Sequence, residues 1–207
     1  MPLTHFLSIQ LRKIERSQLK ERDQKQTSLF IDFLKKSNSL IDIGTGWGSI
    51  PYFLSTKIDM QIYMVDLKDK RKFGKNLVFL LCSGEKMPFK DSTIDGVLLC
   101  CVLHHSSHSL AVLKEAVRIS KERVIVIEDT YENALDRYQL LFADSLINRS
   151  FRNHPHANKT VEEWLFLFKE LKLTVLSMSM TKLRYLVLFH FTNVCFVLEK
   201  ENKPIMF

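Results

Sequence analysis

The stretch Leu40-Ile-Asp-Ile-Gly-Thr-Gly-Trp-Gly48 decides the fold expected for this chain. Its first four residues have the pattern of a short buried strand, and glycines follow directly at positions 44 and 46. Because glycine lacks a Cβ, the backbone of such a turn can approach a ligand closely. A helix is expected next, over about 49–56, and its unpaired first N–H groups would suit an anionic group. The stretch therefore predicts a strand, a ligand-binding turn and a helix in succession.

Two carboxylates narrow the kind of ligand that this turn would bind. A dinucleotide enzyme would have the spacing GxGxxG, whereas the spacing here is GxGxG, with Asp42 two residues before the first glycine. A carboxylate in the turn would repel a pyrophosphate, but it would suit an ammonium group such as that of S-adenosylmethionine. Asp66 lies 24 residues further on, at the end of the next predicted strand, where a carboxylate can accept both hydroxyls of a ribose.

The rest of the chain repeats the alternation of strand and helix. The run over 94–102 is almost entirely apolar, as expected of a strand that is covered on both faces. A parallel, doubly wound α/β sheet follows from this alternation. Further strands are predicted over 61–65, 78–81 and 123–127, and a helix over 110–120.

The two ends of the chain have a different pattern. Residues 6–36 and 131–150 are predicted to be helical, the first with a break at 24–28. Thr160 and Glu163 have the spacing of a capping box that opens another helix. Two β-rich pieces follow, over 173–180 and 194–198, and they predict an antiparallel hairpin at one edge of the sheet.

Several short motifs follow one another along the chain. They are Ile41-Asp-Ile-Gly-Thr-Gly-Trp-Gly48, Val65-Asp-Leu67, Gly84-Glu-Lys-Met-Pro-Phe89, Asp95-Gly-Val-Leu-Leu99, Val102-Leu-His-His105 and Val126-Ile-Glu-Asp129. Their order resembles the class I S-adenosylmethionine-dependent methyltransferases, in the broad group that includes quinone-biosynthesis and other small-molecule methyltransferases. The resemblance covers about 39–129 and implies a Rossmann-like, mostly parallel seven-stranded sheet with an antiparallel C-terminal edge hairpin. We expect one domain over 1–207, with an N-terminal helical lid (1–38), a cofactor-binding core (39–129), a helical substrate-side segment (130–172) and the hairpin (173–207).

The resemblance also implies which residues would bind S-adenosylmethionine and its product S-adenosylhomocysteine. The methionine end would contact the glycine turn. The ribose would contact Asp66, and the adenine would lie between Leu67 and the loop after the third strand. Ser83 stands where family members commonly have an aspartate, so adenine recognition would depend more on backbone groups. The implied residues are Asp42, Gly44, Thr45, Gly46, Asp66, Leu67, Ser83, Gly84, Glu85 and Cys100.

Methyl transfer from an activated cofactor needs mainly alignment of the acceptor and exclusion of water. A general base helps when the acceptor must lose a proton, and His105, after the fourth strand, is the candidate. The alternative is that His104 and His105 only support their loop. Glu128 and Asp129 end the fifth strand and could reach a substrate. The pair His154 and His156 lacks further ligands, so no metal site is predicted.

The charge and composition leave three functions open. The net charge of +7 allows an RNA methyltransferase as the alternative to a small-molecule enzyme, and loss of catalysis would leave a cofactor-binding protein. The basic run 68–72 is interpreted as a solvated loop, because no aromatic residues interleave with it as a single-strand platform would require. The four cysteines have no CxxC spacing, and neither a signal peptide nor a membrane span is evident. We therefore expect a cytoplasmic protein, while the acceptor and the oligomeric state stay open.

Overall fold

The computed structural model describes residues 21–147, 157–185 and 189–201. Its strands are β1 (Ser39–Ile43), β2 (Gln61–Asp66), β3 (Val78–Leu81), β4 (Ile94–Cys100), β5 (Ser120–Thr130), β6 (Leu173–Tyr185) and β7 (Phe189–Lys200). A first helix, α1, is described over 21–28. The later helices are α2 (Ser49–Ser55), α3 (Ser109–Ile119), α4 (Ala134–Ile147) and α5 (Val161–Glu170).

The strands form one seven-stranded sheet in the order β3-β2-β1-β4-β5-β7-β6. The pairs among β1 to β5 are parallel, whereas β7 pairs antiparallel with both β5 and β6. The predicted Rossmann-like sheet with an antiparallel C-terminal edge hairpin is therefore confirmed. The strand order reverses its direction between β1 and β4, and ligands of open α/β sheets bind at such a switch point.

The core lies on both faces of the sheet. Alternate residues of a strand point to opposite faces, so that Val97 and Leu99 pack on the face with α3 and α5. Leu98 packs on the other face, with α2 and the side chain of Phe30. The first six residues of β4 are buried, which confirms that this strand is covered on both sides.

Helix α5 begins with the capping box that the sequence predicts. The Thr160 side chain accepts a hydrogen bond from the Glu163 backbone N–H at 3.2 Å, and the Glu163 carboxylate accepts one from the Thr160 N–H at 2.8 Å. This capping box fixes the start of α5. Two of its side chains, Trp164 and Phe168, are buried against the sheet.

The predicted break at 24–28 is wrong, because α1 continues through residue 28. The polar side chains of Gln26 and Thr27 suggested a break, but both are buried against the rest of the molecule. The chain turns only at 29–30, and a single 3₁₀ turn (Ile31–Leu34) replaces the expected second helix. β4 ends two residues earlier than predicted, before Cys101, whose φ is 51°.

Some predictions fall on residues outside the described ranges, including the helix start at 6–20 and the pair His154 and His156. None of the helices in residues 21–147, 157–185 and 189–201 is long and apolar enough to cross a membrane.

Candidate cofactor site

The glycine turn lies at the carboxyl end of β1 and is fixed by the neighbouring strand. The backbone N–H groups of Gly44 and Thr45 both donate to the carbonyl of Val65, at 2.8 and 3.0 Å. Gly44 has a φ of 76°, and a Cβ on it would come within 2.3 Å of a Val102 methyl group. A side chain at position 44 would therefore push the turn away from the end of β4.

Gly46 and Asp66 face one another across this turn. The Gly46 N–H donates to Asp66 Oδ2 at 2.9 Å, and the Lys68 N–H donates to Oδ1 at 3.3 Å. Each carboxylate oxygen has two lone pairs, so both oxygens of Asp66 still have acceptor capacity for a diol. A Cβ on Gly46 would meet nothing nearer than the Gly44 carbonyl oxygen, at 4.0 Å. The space beside Gly46 is therefore open to a ligand.

Asp42 is 3% exposed at the end of β1. Burial raises the pKa of its carboxyl to about 7, and the negative charges of Asp66 and Asp23 act in the same direction. A buried carboxylate with other carboxylates nearby favours a cation. The carboxylates around the turn would therefore suit an ammonium or sulfonium group.

The loop after β3 lies against the end of β1. A Cβ on Gly84 would approach Ile43 Cγ2 to 2.7 Å, so only glycine allows this contact without a shift. The Ser83 hydroxyl accepts the Glu85 N–H at 3.1 Å, and Glu85 Oε1 lies 3.1 Å from His108 Nδ1. On the other side of the turn, the Leu67 side chain is 70% exposed beside Asp66.

A buried acid from β5 holds the turn that follows β4. Glu128 Oε1 accepts the backbone N–H groups of Val102 and Leu103 at 3.1 and 2.7 Å, and its Oε2 forms a short hydrogen bond with His104 Nδ1. Both side chains of this pair are buried. Glu128 therefore supports the loop, and it contributes to the site by holding Val102 against the glycine turn.

His105 follows in the same 3₁₀ turn (Leu103–His105). Its ring is half-buried, and its centroid lies 4.0 Å from that of His104. Of the two histidines, His104 is the buried one held by Glu128, and His105 is the more accessible.

A series of side-chain hydrogen bonds links four elements, α1, β4, β5 and β7, at the edge of the sheet where the parallel strands end. The Cys100 thiol donates to Gln26 Oε1 at 3.7 Å, Gln26 Nε2 donates to Asn193 Oδ1 at 3.1 Å, and Asn193 Nδ2 donates to Asp129 Oδ1 at 2.9 Å. Asp23, which like Gln26 belongs to α1, accepts a hydrogen bond from the Ser49 hydroxyl just after the glycine turn. No sequence pattern predicts these hydrogen bonds, because the residues that they join are far apart along the polypeptide.

Two of the cysteines near this edge, Cys101 and Cys195, have raised pKa values. A hydrogen bond with Cys100, together with burial, raises the pKa of the Cys101 thiol. Burial raises the pKa of Cys195 to about 12. Since the thiolate is the nucleophilic form, the raised pKa values disfavour a nucleophilic role for these two thiols.

Residues 41–127 match the family model described as a methyltransferase domain. The resemblance to class I methyltransferases is thereby confirmed. The chain is also 24% identical, over 129 residues, to the uncharacterized protein MJ1123 of Methanocaldococcus jannaschii. That alignment covers 61% of this chain and 55% of the relative, so the chain matches only about half the length of that protein.

Solved structures share the fold at low sequence identity. The YcgJ protein of Bacillus subtilis is 15% identical with a TM-score of 0.70, and the match covers 87% of this chain and all of that one. Magnesium protoporphyrin IX methyltransferase (ChlM) of Synechocystis PCC 6803, with bound SAH, is 14% identical with a TM-score of 0.65 and coverages of 92% and 87%. The chain thus shares the fold of these two proteins. The match to the methyltransferase domain, together with the likeness to a protein solved with bound SAH, supports S-adenosylmethionine as the cofactor.

Proposed function

We propose that this protein is an enzyme that transfers a methyl group from S-adenosylmethionine to a small-molecule acceptor. The single observation that carries the proposal is the glycine turn with Asp66 hydrogen-bonded across it, at the switch point of the sheet. Bound S-adenosylmethionine would supply an activated methyl group. The protein's own residues then have to bind the cofactor, orient the acceptor and exclude water.

The residues of the site fit the cofactor at both of its ends. Asp66 would accept the ribose hydroxyls, while Leu67 and the loop of Ser83, Gly84 and Glu85 would lie along the adenine. The open space beside Gly46 and the buried carboxylate of Asp42 would take the methionine end. Gly44, Thr45 and Cys100 would complete the wall there.

The acceptor would approach from the carboxyl ends of β4 and β5. The chain has the same fold as ChlM. The name of that protein gives a small molecule, a magnesium protoporphyrin, as its acceptor. His105 is the group we propose as general base for an acceptor that must lose a proton. If so, His105→Gln should lower the turnover rate with little change in cofactor affinity.

A calorimetric titration with S-adenosylhomocysteine tests the cofactor site. We expect saturable binding by the unmodified protein and a loss of at least tenfold in affinity for Asp66→Ala, because a buried ligand hydroxyl then lacks its charged acceptor. Asp59→Ala is the matched control, since Asp59 is an exposed acid just before the same strand. Absence of heat with the unmodified protein, or equal losses in both variants, would refute the proposal.

A further inference from the structure

The basic loop after β2 lies against aromatic side chains of the glycine turn and α2, and it contributes one aromatic side chain of its own. The interpretation of 68–72 as a solvated loop rested on the lack of interleaved aromatics in the sequence, whereas in the structure aromatic rings lie beside the loop. Lys72 Nζ lies 3.1 Å from the ring centroid of Trp47, in the glycine turn. The ring of Phe73 stacks on Tyr52 of α2 at 5.9 Å. One surface therefore carries three aromatic rings together with the lysines of this loop.

The loop is held in one shape by an arginine that points inward. The Arg71 side chain is 9% exposed and pairs with Asp69 at 2.9 Å. Its guanidinium also donates to the carbonyls of Gly74 and Leu77 at 3.3 and 3.1 Å, and it lies 4.4 Å from the ring of Phe79. These contacts of Arg71 hold the loop in one conformation. A preorganised loop loses less conformational entropy when it binds a ligand.

The loop is also tied to the glycine turn. The N–H groups of Lys72 and Phe73 both donate to the Trp47 carbonyl, at 2.9 and 3.0 Å. A Cβ on Gly48 would lie 2.9 Å from the Phe73 carbonyl oxygen, so the two backbones are in close contact. The aromatic surface is therefore continuous with the edge of the candidate cofactor site.

The exposed part of this surface combines flat rings with positive charge. The side chains of Trp47, Tyr52 and Phe73 are 37%, 45% and 42% exposed. Residues 66–75 contain five basic and two acidic side chains, and of the basic ones Arg71 is the one turned inward. Proteins that bind single strands use the same combination, because bases stack on aromatic rings while cations neutralise the phosphates.

We propose that Trp47, Tyr52, Phe73 and the lysines of the 68–75 loop form a docking surface for single-stranded nucleic acid. An anionic membrane would share the charge complementarity. A strand is favoured because three partly exposed aromatic rings lie on one surface with lysines, and single strands bind through stacking of their bases on rings and pairing of their phosphates with cations. The surface lies on the β2 side of the turn, so docking there is independent of which acceptor is methylated.

Fluorescence provides a direct test, because the chain has two tryptophans and Trp164 is only 1% exposed. Titration with a short mixed-sequence RNA should quench the emission of Trp47 and raise the anisotropy of a labelled strand. Affinity should fall steeply with added salt. Trp47→Phe should keep the affinity and lose the quenching, since a ring remains for stacking.

Matched variants separate stacking from general charge. Phe73→Ala should weaken RNA binding by about fivefold to a hundredfold, from the loss of one stacked base. Tyr138→Ala should leave it unchanged, because Tyr138 is an exposed aromatic on α4, outside this surface. Circular dichroism should give the spectrum of the unmodified protein for all three variants, which shows that they are folded. The titration of the unmodified protein with S-adenosylhomocysteine tests the proposed function separately.

Four results would overturn the docking proposal. These are no binding of RNA, equal losses in the Phe73 and Tyr138 variants, binding of inorganic polyphosphate as tight as that of RNA, or equal affinity for duplex RNA. Binding of phosphatidylserine vesicles without binding of RNA would identify a membrane surface instead and would equally refute the proposal.

Discussion

Asp42 shows how a single buried residue couples the candidate cofactor site to stability. Its pKa is about 7 in the folded chain, against 3.8 for an unperturbed carboxyl. Between these values the folded protein holds a proton that the unfolded chain has released, so the free energy of unfolding falls as the pH rises from about 4 to about 7. A bound cation at the turn would offset this cost by pairing with the ionised carboxylate.

Replacing Asp42 by asparagine should remove this pH dependence. The variant should be more stable than the unmodified protein above about pH 7, by a few kcal/mol at most, and the difference should shrink toward about pH 4. Melting temperatures measured without cofactor across this range test the expectation. Asp59→Asn, at an exposed position, is the control, and parallel curves for the unmodified protein and Asp42→Asn would contradict the assignment.

At the scale of elements, the turn after β4 depends on a side chain from β5. The backbone N–H groups of Val102 and Leu103 are satisfied by Glu128, and Val102 in turn packs on Gly44. Buried N–H groups without acceptors cost about 1–3 kcal/mol each. The acid is therefore expected to determine both the stability and the shape of this edge of the site.

Urea unfolding of Glu128 variants checks this dependence. Glu128→Ala should lose about 3 kcal/mol or more, whereas Glu128→Gln should lose less because an amide oxygen can still accept the two N–H groups. Glu122 is on the same strand with a side chain that is 43% exposed, so Glu122→Ala should change the free energy of unfolding by less than about 0.5 kcal/mol. Similar losses in the two alanine variants would contradict the supporting role.

At the scale of the whole molecule, α1 is attached to the sheet through polar contacts. Asp23, Gln26 and Thr27 are all buried, and Gln26 meets Asn193 across 167 residues of sequence. A helix docked by hydrogen bonds gains less from burial than one docked by apolar side chains, because each net bond contributes only about 1 kcal/mol. We therefore expect this helix to open more readily than the central strands.

Hydrogen exchange can measure that difference. Gln26→Ala should lower the free energy of unfolding by about 1–2 kcal/mol and speed exchange in residues 21–28, with β4 unchanged. Lys25→Ala is the control, because the Lys25 side chain is 62% exposed on the same helix. Unaltered exchange over 21–28 in Gln26→Ala would show that other contacts hold the helix.

The sequence by itself determined the features that depend on local patterns. The strands and the glycine turn follow from apolar runs and from residues that only a tight turn requires, and the capping box of Thr160 and Glu163 spans four residues. These elements, in order, were enough to predict a parallel, doubly wound sheet and the position of Asp66 at the end of its second strand, and the family resemblance added the Rossmann-like form of the sheet. The assignment of individual residues to the cofactor stays a prediction.

Only the tertiary structure decided which distant residues meet. Gln26 and Thr27 suggested a helix break because polar residues are usually exposed, and their burial became visible only with the sheet beside them. Glu128 and His104 come from different elements, and the rings of Trp47, Tyr52 and Phe73 come from a turn, a helix and a loop. Periodicity reports the neighbours along one element, whereas these contacts depend on how separate elements pack, which no local pattern encodes.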